Sequence, residues 1–286
     1  MQQNAGVLYV VATPIGNLGD MSERARKVLS EVDLVAAEDT RETLRLLGHF
    51  GITAKLVAYH DHNETAMAVR LLEELEAGRS VGLVSDAGTP LISDPGYRVV
   101  AAARERGLRV VPIPGASALI CALSASGLPS DRFLFLGFPP RSAAQQRVLF
   151  ESVVKEPGTL IFYESGRRVL ATLETIGAIL GGARLVVIGR ELTKKFETFL
   201  LGSPSELIRR LEGDDDQRLG ELVVLVQGCP SAEDDAQRGE WERVLRILCE
   251  ALPLSQAAAL AARLTGGKKN QLYRLGLELG LGDQAS

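Results

Sequence analysis

Asp86 and Asp94 lie within one stretch, Ser85-Asp86-Ala87-Gly88-Thr89-Pro90-Leu91-Ile92-Ser93-Asp94-Pro95-Gly96, which also holds two glycines and two prolines. Carboxylates can take or hold a proton, and Gly and Pro fix a backbone while clearing side chains from it. Such a loop suits a bound ligand. Two further clusters of ionisable residues have the same setting. Glu38-Asp39-Thr40-Arg41 and His60-Asp61-His62-Asn63-Glu64 each follow a short apolar run. His60 and His62 alternate in an extended segment and lack the helical spacing of a zinc pair, so hydrogen bonding is favoured over metal binding. No metal site is expected.

The elements that must position these groups can be read from hydrophobic patterning. Strands are expected at Leu8–Ala12, Asp33–Ala37, Lys55–Tyr59, Val81–Val84 and Arg109–Ile113, with helical runs between them. Alternating strands and helices argue for a mostly parallel sheet covered on both faces. Each polar cluster then falls at a strand's C-terminal end, where open α/β sheets bind ligands. Thr13-Pro14-Ile15-Gly16-Asn17-Leu18-Gly19-Asp20 and Pro114-Gly115-Ala116-Ser117-Ala118 complete that edge. Asp20 with Glu23, and Asp39 with Glu42, read as capping pairs for the helices that follow.

The second half changes character. Strands are expected at Phe133–Phe138, Thr159–Tyr163, Arg184–Gly189, Phe196–Leu201 and Glu221–Val226. The third and fourth of these are too close for a crossover helix, so a hairpin is predicted. A polar, acidic linker is expected over 229–239. Three helices follow, at Glu240–Ala251, Ser255–Leu264 and Lys268–Leu279, with Arg263, Lys268, Lys269 and Arg274 in a stretch free of acids. The expected domains are therefore 1–118 and 119–228, both α/β, the linker 229–239, and a basic helical extension over 240–286.

The 286 residues suffice for two domains, and a hydrophobic fraction of 46% supports a substantial core. A net charge of −4 gives no global pull toward nucleic acid, so a polyanion must be met by local basic patches. Cys121, Cys229 and Cys249 form neither a metal spacing nor an even disulfide set, which fits a reducing cytoplasm. The N-terminus lacks a basic leader, and Leu8–Ala12 is too short to span a membrane. The phosphate-binding Gly-x-x-x-x-Gly-Lys-Ser/Thr, the dinucleotide Gly-x-Gly-x-x-Gly and the Gly-x-Ser-x-Gly nucleophile elbow are all missing.

Taken together, Thr13–Asp20, Ala37–Arg41, Ser85–Gly96 and Pro114–Ala118 resemble the tetrapyrrole methylase superfamily, over roughly residues 7–228. Within it they are similar to the branch that 2′-O-methylates a cytidine of 16S ribosomal RNA in the small ribosomal subunit. Leu254-Ser255-Gln256 to Asn270-Gln271-Leu272-Tyr273 is similar to that branch's C-terminal extension. Gly88-Thr89-Pro90 stands where the tetrapyrrole enzymes carry Gly-Asp-Pro, and Thr13–Asp20 is poorer in glycine than their first loop. Both departures point to the RNA branch.

The resemblance implies two α/β domains of class III methyltransferase type, with S-adenosylmethionine held in the cleft between them, and a homodimer. By motif position the donor should touch Pro14, Thr89, Ile92, Ser117 and Ala118, with Tyr163 and Leu192 from the second domain. A ribose hydroxyl is a weak nucleophile and gains from a base. Glu38, Asp39, His60, Asp86 and Asp94 are candidates, Asp86 first and Asp39 next. Lys194 could instead stabilise the alkoxide. Arg141, Arg147, Arg167, Arg168, Lys194, Lys195, Lys268 and Lys269 are candidates for RNA phosphates. A tetrapyrrole C-methyltransferase and a non-catalytic RNA-binding assembly factor remain as alternative readings.

Overall fold

The computed structural model describes residues 5–230 and 232–282. The outer ends of the expected domains, 1–4 and 283–286, and Ser231 of the expected linker lie outside the described residues. The chain divides into two compact units, Met1–Gln227 and Gly228–Ser286. The boundary expected at 118/119 falls inside the first unit, between its two sheets.

The first sheet uses β1 (Val7–Val11), β2 (Leu34–Ala37), β3 (Leu56–Ala58), β4 (Val81–Val84) and β5 (Arg109–Ile113), in the order β3-β2-β4-β1-β5. All its pairings are parallel. β2 and β4 are buried along their whole length, as strands covered on both faces must be. On one face α1 (Glu23–Glu31) and α2 (Thr40–His49) pack through Leu29 and Leu47. On the other, α3 (Glu64–Glu76) and α4 (Tyr97–Glu105) pack through Leu71, Leu75 and Val99.

Local capping differs from expectation at α1. Ser22, not Asp20, is the N-cap, its side chain accepting from the Ala25 N–H. Asp20 instead ends a short 3-10 turn at Leu18–Asp20 that the Asn17 side chain caps. Asp39 does cap α2, accepting from the Arg41 N–H.

After α5 (Ala118–Ser126) comes the second sheet: β6 (Phe133–Phe135), β7 (Thr159–Ser165), β8 (Val186–Arg190), β9 (Thr198–Gly202) and β10 (Glu221–Val226), ordered β6-β7-β10-β8-β9. β6 and β7 are parallel and the other neighbours antiparallel. β8 and β9 form the predicted hairpin. α6 (Ala143–Ser152), α7 (Val169–Ile179) and α8 (Pro204–Glu212) lie around one core with Phe150, Leu173 and Leu207. Ser203 starts α8 with a complete capping box to Glu206. The opposite face packs on α5 and receives Ile15 and Ile92 from loops of the first sheet.

In the second unit, α9 (Ala232–Cys249) begins eight residues before the expected Glu240, so most of the expected linker is helical. α10 (Leu254–Thr265) and α11 (Lys269–Glu278) follow. Leu245, Leu254, Ala258, Ala261, Leu272 and Leu275 form this unit's own core. Gly266 ends α10 in the left-handed region at φ +73°, the conformation a helix-stopping glycine supplies at low cost.

Candidate functional site

A cavity of about 440 Å³ lies between the C-terminal edge of the first sheet and the second sheet of the same unit. Its size suits a small organic ligand. The Ser85–Gly96 loop forms one wall. It is pinned to the first loop by an isolated bridge in which Thr13 and Gly88 exchange backbone hydrogen bonds at 2.9 and 3.1 Å. Buried Thr13 adds a bond from its hydroxyl to the Ser85 carbonyl at 3.2 Å. Thr89 Oγ1 donates to the Ala116 carbonyl at 3.0 Å, tying in the loop after β5.

This loop is strained. Leu91 and Ser93 have φ of +75° and +69°. Across the cavity, Glu191 and Thr193 in the β8–β9 turn have φ of +49° and +66°. A branched or bulky residue at positive φ costs of order 1–3 kcal/mol and persists only where its surroundings over-determine it. Both strained turns contribute cavity wall, through Ile92 and Asp94 on one side and Leu192 and Lys194 on the other.

The acidic side is built from the ends of β2 and β4. Asp86 Oδ1 accepts the Asp39 N–H at 2.8 Å, and Glu38 Oε2 accepts the Asp86 N–H at 3.3 Å. Burial raises the Glu38 pKa, against the pull of the Asp86 N–H. Asp94 is pushed up to about 6, chiefly by burial, and the Glu38, Asp86 and Asp61 charges reinforce the shift. Asp39 differs from these. Arg41 grips its carboxylate at 2.6 and 3.1 Å and holds its pKa well below the usual carboxylate range. Asp39 does not line the cavity.

Of the expected donor contacts, Thr89, Ile92, Ser117, Ala118, Tyr163 and Leu192 all line the cavity, and Pro14 does not; its neighbour Ile15 does. Asp86, Asp94 and Lys194 also line it. Tyr163 has Phe135 and Phe138 edge-on at 5.0 and 5.4 Å, and burial raises its phenol to about 12. Sequence reasoning missed Phe138, Glu164 and the start of β10 at Glu221–Val223. β10 enters because it pairs with β7, Val223 opposite Tyr163.

The expected RNA-contacting cations are distributed differently. Lys194 Nζ bridges Glu191 at 3.0 Å and Glu221 at 2.9 Å, and its stem fills the space where a Gly16 side chain would go. Arg168 is committed to the fold: its guanidinium faces buried Glu164 at 3.4 Å and donates to the Pro139 and Pro140 carbonyls at 2.8 Å each. Arg147 pairs with Glu151 on α6. Arg141, Arg167 and Lys195 are exposed, Lys195 lying over Phe196. In the second unit Lys268 stands just before α11 without a side-chain capping bond and Lys269 begins the helix, both exposed.

His60 keeps its ring Nδ1 buried without a hydrogen-bond partner, and its ring centroid is 5.9 Å from that of His62. Among the described residues no group of three or more His, Cys, Asp and Glu could hold a metal ion. No helix among them is long and apolar enough to cross a membrane.

The cavity's chemistry fits a sulfonium nucleoside. Ile15, Ile92 and Leu192 offer apolar surface to an adenosine, while Glu38, Asp86 and Asp94 face the same space with acidic groups that complement a cationic sulfur. Ser85 Oγ and Thr193 Oγ1, adjoining the two strained turns, are buried without partners in the protein.

Comparison with known proteins gives the family. Residues 7–208 match the Tetrapyrrole (Corrin/Porphyrin) Methylases, and residues 235–280 match the RsmI C-terminal HTH domain. A ribosomal RNA small subunit methyltransferase I of Escherichia coli O157:H7 is 52% identical over 273 residues, covering 96% of this chain and 95% of its own. Its Pseudomonas aeruginosa counterpart is also 52% identical, covering 96% of this chain and 98% of its own. A solved uroporphyrin-III C-methyltransferase from Thermus thermophilus, complexed with S-adenosylhomocysteine, has the same fold: the TM-score is 0.52 at 19% identity, over 77% of this chain and 96% of that one.

Proposed function

This chain belongs to the tetrapyrrole methylase family, in its ribosomal RNA small subunit methyltransferase I branch, and from that premise we propose that it methylates the 2′-hydroxyl of a cytidine in 16S ribosomal RNA. The observation that carries this reading is 52% identity over nearly the full chain to a ribosomal RNA small subunit methyltransferase I, joined by the match of residues 235–280 to the RsmI C-terminal HTH domain. The methyl donor is S-adenosylmethionine, which supplies an electrophilic methyl on a positively charged sulfur.

The protein's own work is alignment, water exclusion and proton transfer. Ile15, Ile92 and Leu192 shield the space from water, and the bridged Thr13–Gly88 loops fix its shape. Holding two reactants in line can supply about 7–11 kcal/mol of a barrier. The proton of the ribose hydroxyl passes to the carboxylate pair of Asp86 and Asp94. Asp94 suits that role because its pKa of about 6 lies near working pH. Asp86 is already anchored by the Asp39 N–H, and its negative charge helps keep Asp94 basic. Asp39, neutralised by Arg41, serves as a helix cap.

Of the cations expected to meet RNA phosphate, Arg141, Arg167, Lys195, Lys268 and Lys269 are exposed. α10 and α11, joined by the Gly266–Gly267 turn, have the helix-turn-helix form in which a second helix reads nucleic acid. The small ribosomal subunit is the expected partner. A homodimer in the cytoplasm follows from the resemblance, and exposed Phe199 and Leu201 on edge strand β9 offer it an apolar face.

The test supplies methyl-labelled S-adenosylmethionine with small ribosomal subunits, with naked 16S RNA, or with a uroporphyrinogen. Label on a cytidine ribose is the expected result. Label on the porphyrin would assign a tetrapyrrole methylase, and label nowhere would leave an RNA-binding protein without this chemistry.

A further inference from the structure

We propose that Phe138 is a stacking platform for a nucleobase at the opening of the cavity, an inference that rests on the methyl-transfer reading above. Among the described residues Phe138 is the only exposed large apolar side chain in the cavity wall, at 62% exposure. A single exposed apolar residue is ordinary on any protein surface. The support beneath this one is not.

Three contacts fix the short segment Gly137-Phe138-Pro139-Pro140. The Gly137 carbonyl accepts the Tyr163 N–H at 2.9 Å. The carbonyls of Pro139 and Pro140 both accept Arg168 Nη2 at 2.8 Å. Arg168 is itself held by Glu164, whose side chain is 1% exposed and which also accepts the Thr172 hydroxyl at 2.8 Å. Gly137 turns the chain at φ +65°, and the two prolines after it have little backbone freedom to lose. Tyr163 then meets the Phe138 ring edge-on, at 5.4 Å and 63° between planes. The ring is thus held on one side by this T-shaped contact, and with 62% of the residue exposed the rest of it is left to other partners.

A rigid aromatic at a cavity mouth binds planar heteroaromatic groups with little ordering cost. Two such groups belong to the reaction: the adenine of the donor and the base of the target nucleotide, which must leave its stack to bring its ribose to the methyl. Unstacked RNA bases lie on aromatic side chains in many complexes. The chemistry recognised is the same for both sources.

Phe138→Ala, Phe138→Leu and Phe138→Trp separate them. Calorimetry with S-adenosylhomocysteine reads the donor arm without turnover; steady-state methylation of small ribosomal subunits reads the RNA arm. Phe138→Ala should weaken one arm by about 5- to 150-fold, the range of a lost base–aromatic stack. Phe138→Trp should restore it and Phe138→Leu should not. Weaker S-adenosylhomocysteine binding assigns the platform to the donor's adenine. A raised KM for subunits with unchanged S-adenosylhomocysteine binding assigns it to the RNA base. Wild-type behaviour of Phe138→Ala in both arms overturns the platform, as does full function in Phe138→Leu. Should the wild-type protein label no subunit, the functional reading fails by that result, and the S-adenosylhomocysteine arm alone decides Phe138.

Discussion

The backbone N–H of Asp39 donates to Asp86 Oδ1 at 2.8 Å, joining the C-terminal ends of β2 and β4 through one carboxylate. Asp86 therefore shapes the acidic side of the cavity as well as facing it. Asp86→Asn keeps an acceptor for that N–H and removes the charge. Methyl transfer should fall by about 10²- to 10⁴-fold, the usual contribution of a positioned base. Donor affinity should stay within a few-fold. Equal losses in single-turnover rate and in calorimetric affinity would assign Asp86 to donor binding instead.

Asp94 gives a pH signature. Its folded pKa of about 6 lies above the ordinary 3.8. Burial therefore favours the protonated acid. Its stabilising contribution is full below about pH 3.8 and is lost as pH rises through about 6. Catalysis has the opposite sign, because a base must be deprotonated. The single-turnover rate should rise through pH 6 and level off above it. Asp94→Asn should flatten that rise, lower the plateau rate, and melt higher than wild type at pH 8 but not at pH 4. A wild-type pH profile in the variant would remove Asp94 from proton transfer.

Thr89 lies in the cavity wall with its hydroxyl bound to the Ala116 carbonyl. Thr89→Arg places a long charged side chain where the donor's space is. Calorimetry should find no S-adenosylhomocysteine binding while the melting temperature moves little. Retained affinity would put the donor elsewhere.

Lys268 and Lys269 test the second unit's part in RNA binding. The logarithm of affinity for naked 16S RNA should fall linearly with the logarithm of salt, because phosphate contacts release counterions. Lys268→Gln with Lys269→Gln should lower affinity at low salt and flatten that slope, by ~0.7 per lost contact to single-stranded RNA. S-adenosylhomocysteine binding should not change. An unaltered slope would remove both lysines from the interface.

Much of the first sheet was legible because its central strands β2 and β4 are buried along their whole length and read as short apolar runs. Gly/Pro loops with ionisable residues at the strand ends then marked the cavity's edge, and Glu38, Asp86, Thr89 and Asp94 are found there together. Local pattern could not reveal what long-range pairing decides. Glu221–Val223 reaches the cavity because β10 inserts between β7 and β8, and Phe138 because Arg168 and Tyr163 hold its segment. Charge alone was equally uninformative about Arg168 and Lys194. Both read as cations for RNA phosphates, Lys194 also as a candidate for stabilising the alkoxide, and both are bound to acids from their own unit. At α1 an Asp three residues before a Glu gave the capping pattern, but Ser22 offered the same acceptor closer to the apolar stripe.

The insertion of β10 also bears on biosynthesis. The ribosome makes this strand last in the first unit, yet it occupies the middle of the second sheet and pairs with β7 along its whole length and with β8 from Leu222 to Val226. Until residue 226 has emerged, the nascent chain carries two incomplete half-sheets with open edges and a cavity lacking one side. Ligand capture is thereby deferred to the end of translation of the unit, and a chain stalled short of that strand exposes apolar edges that invite chaperones or aggregation.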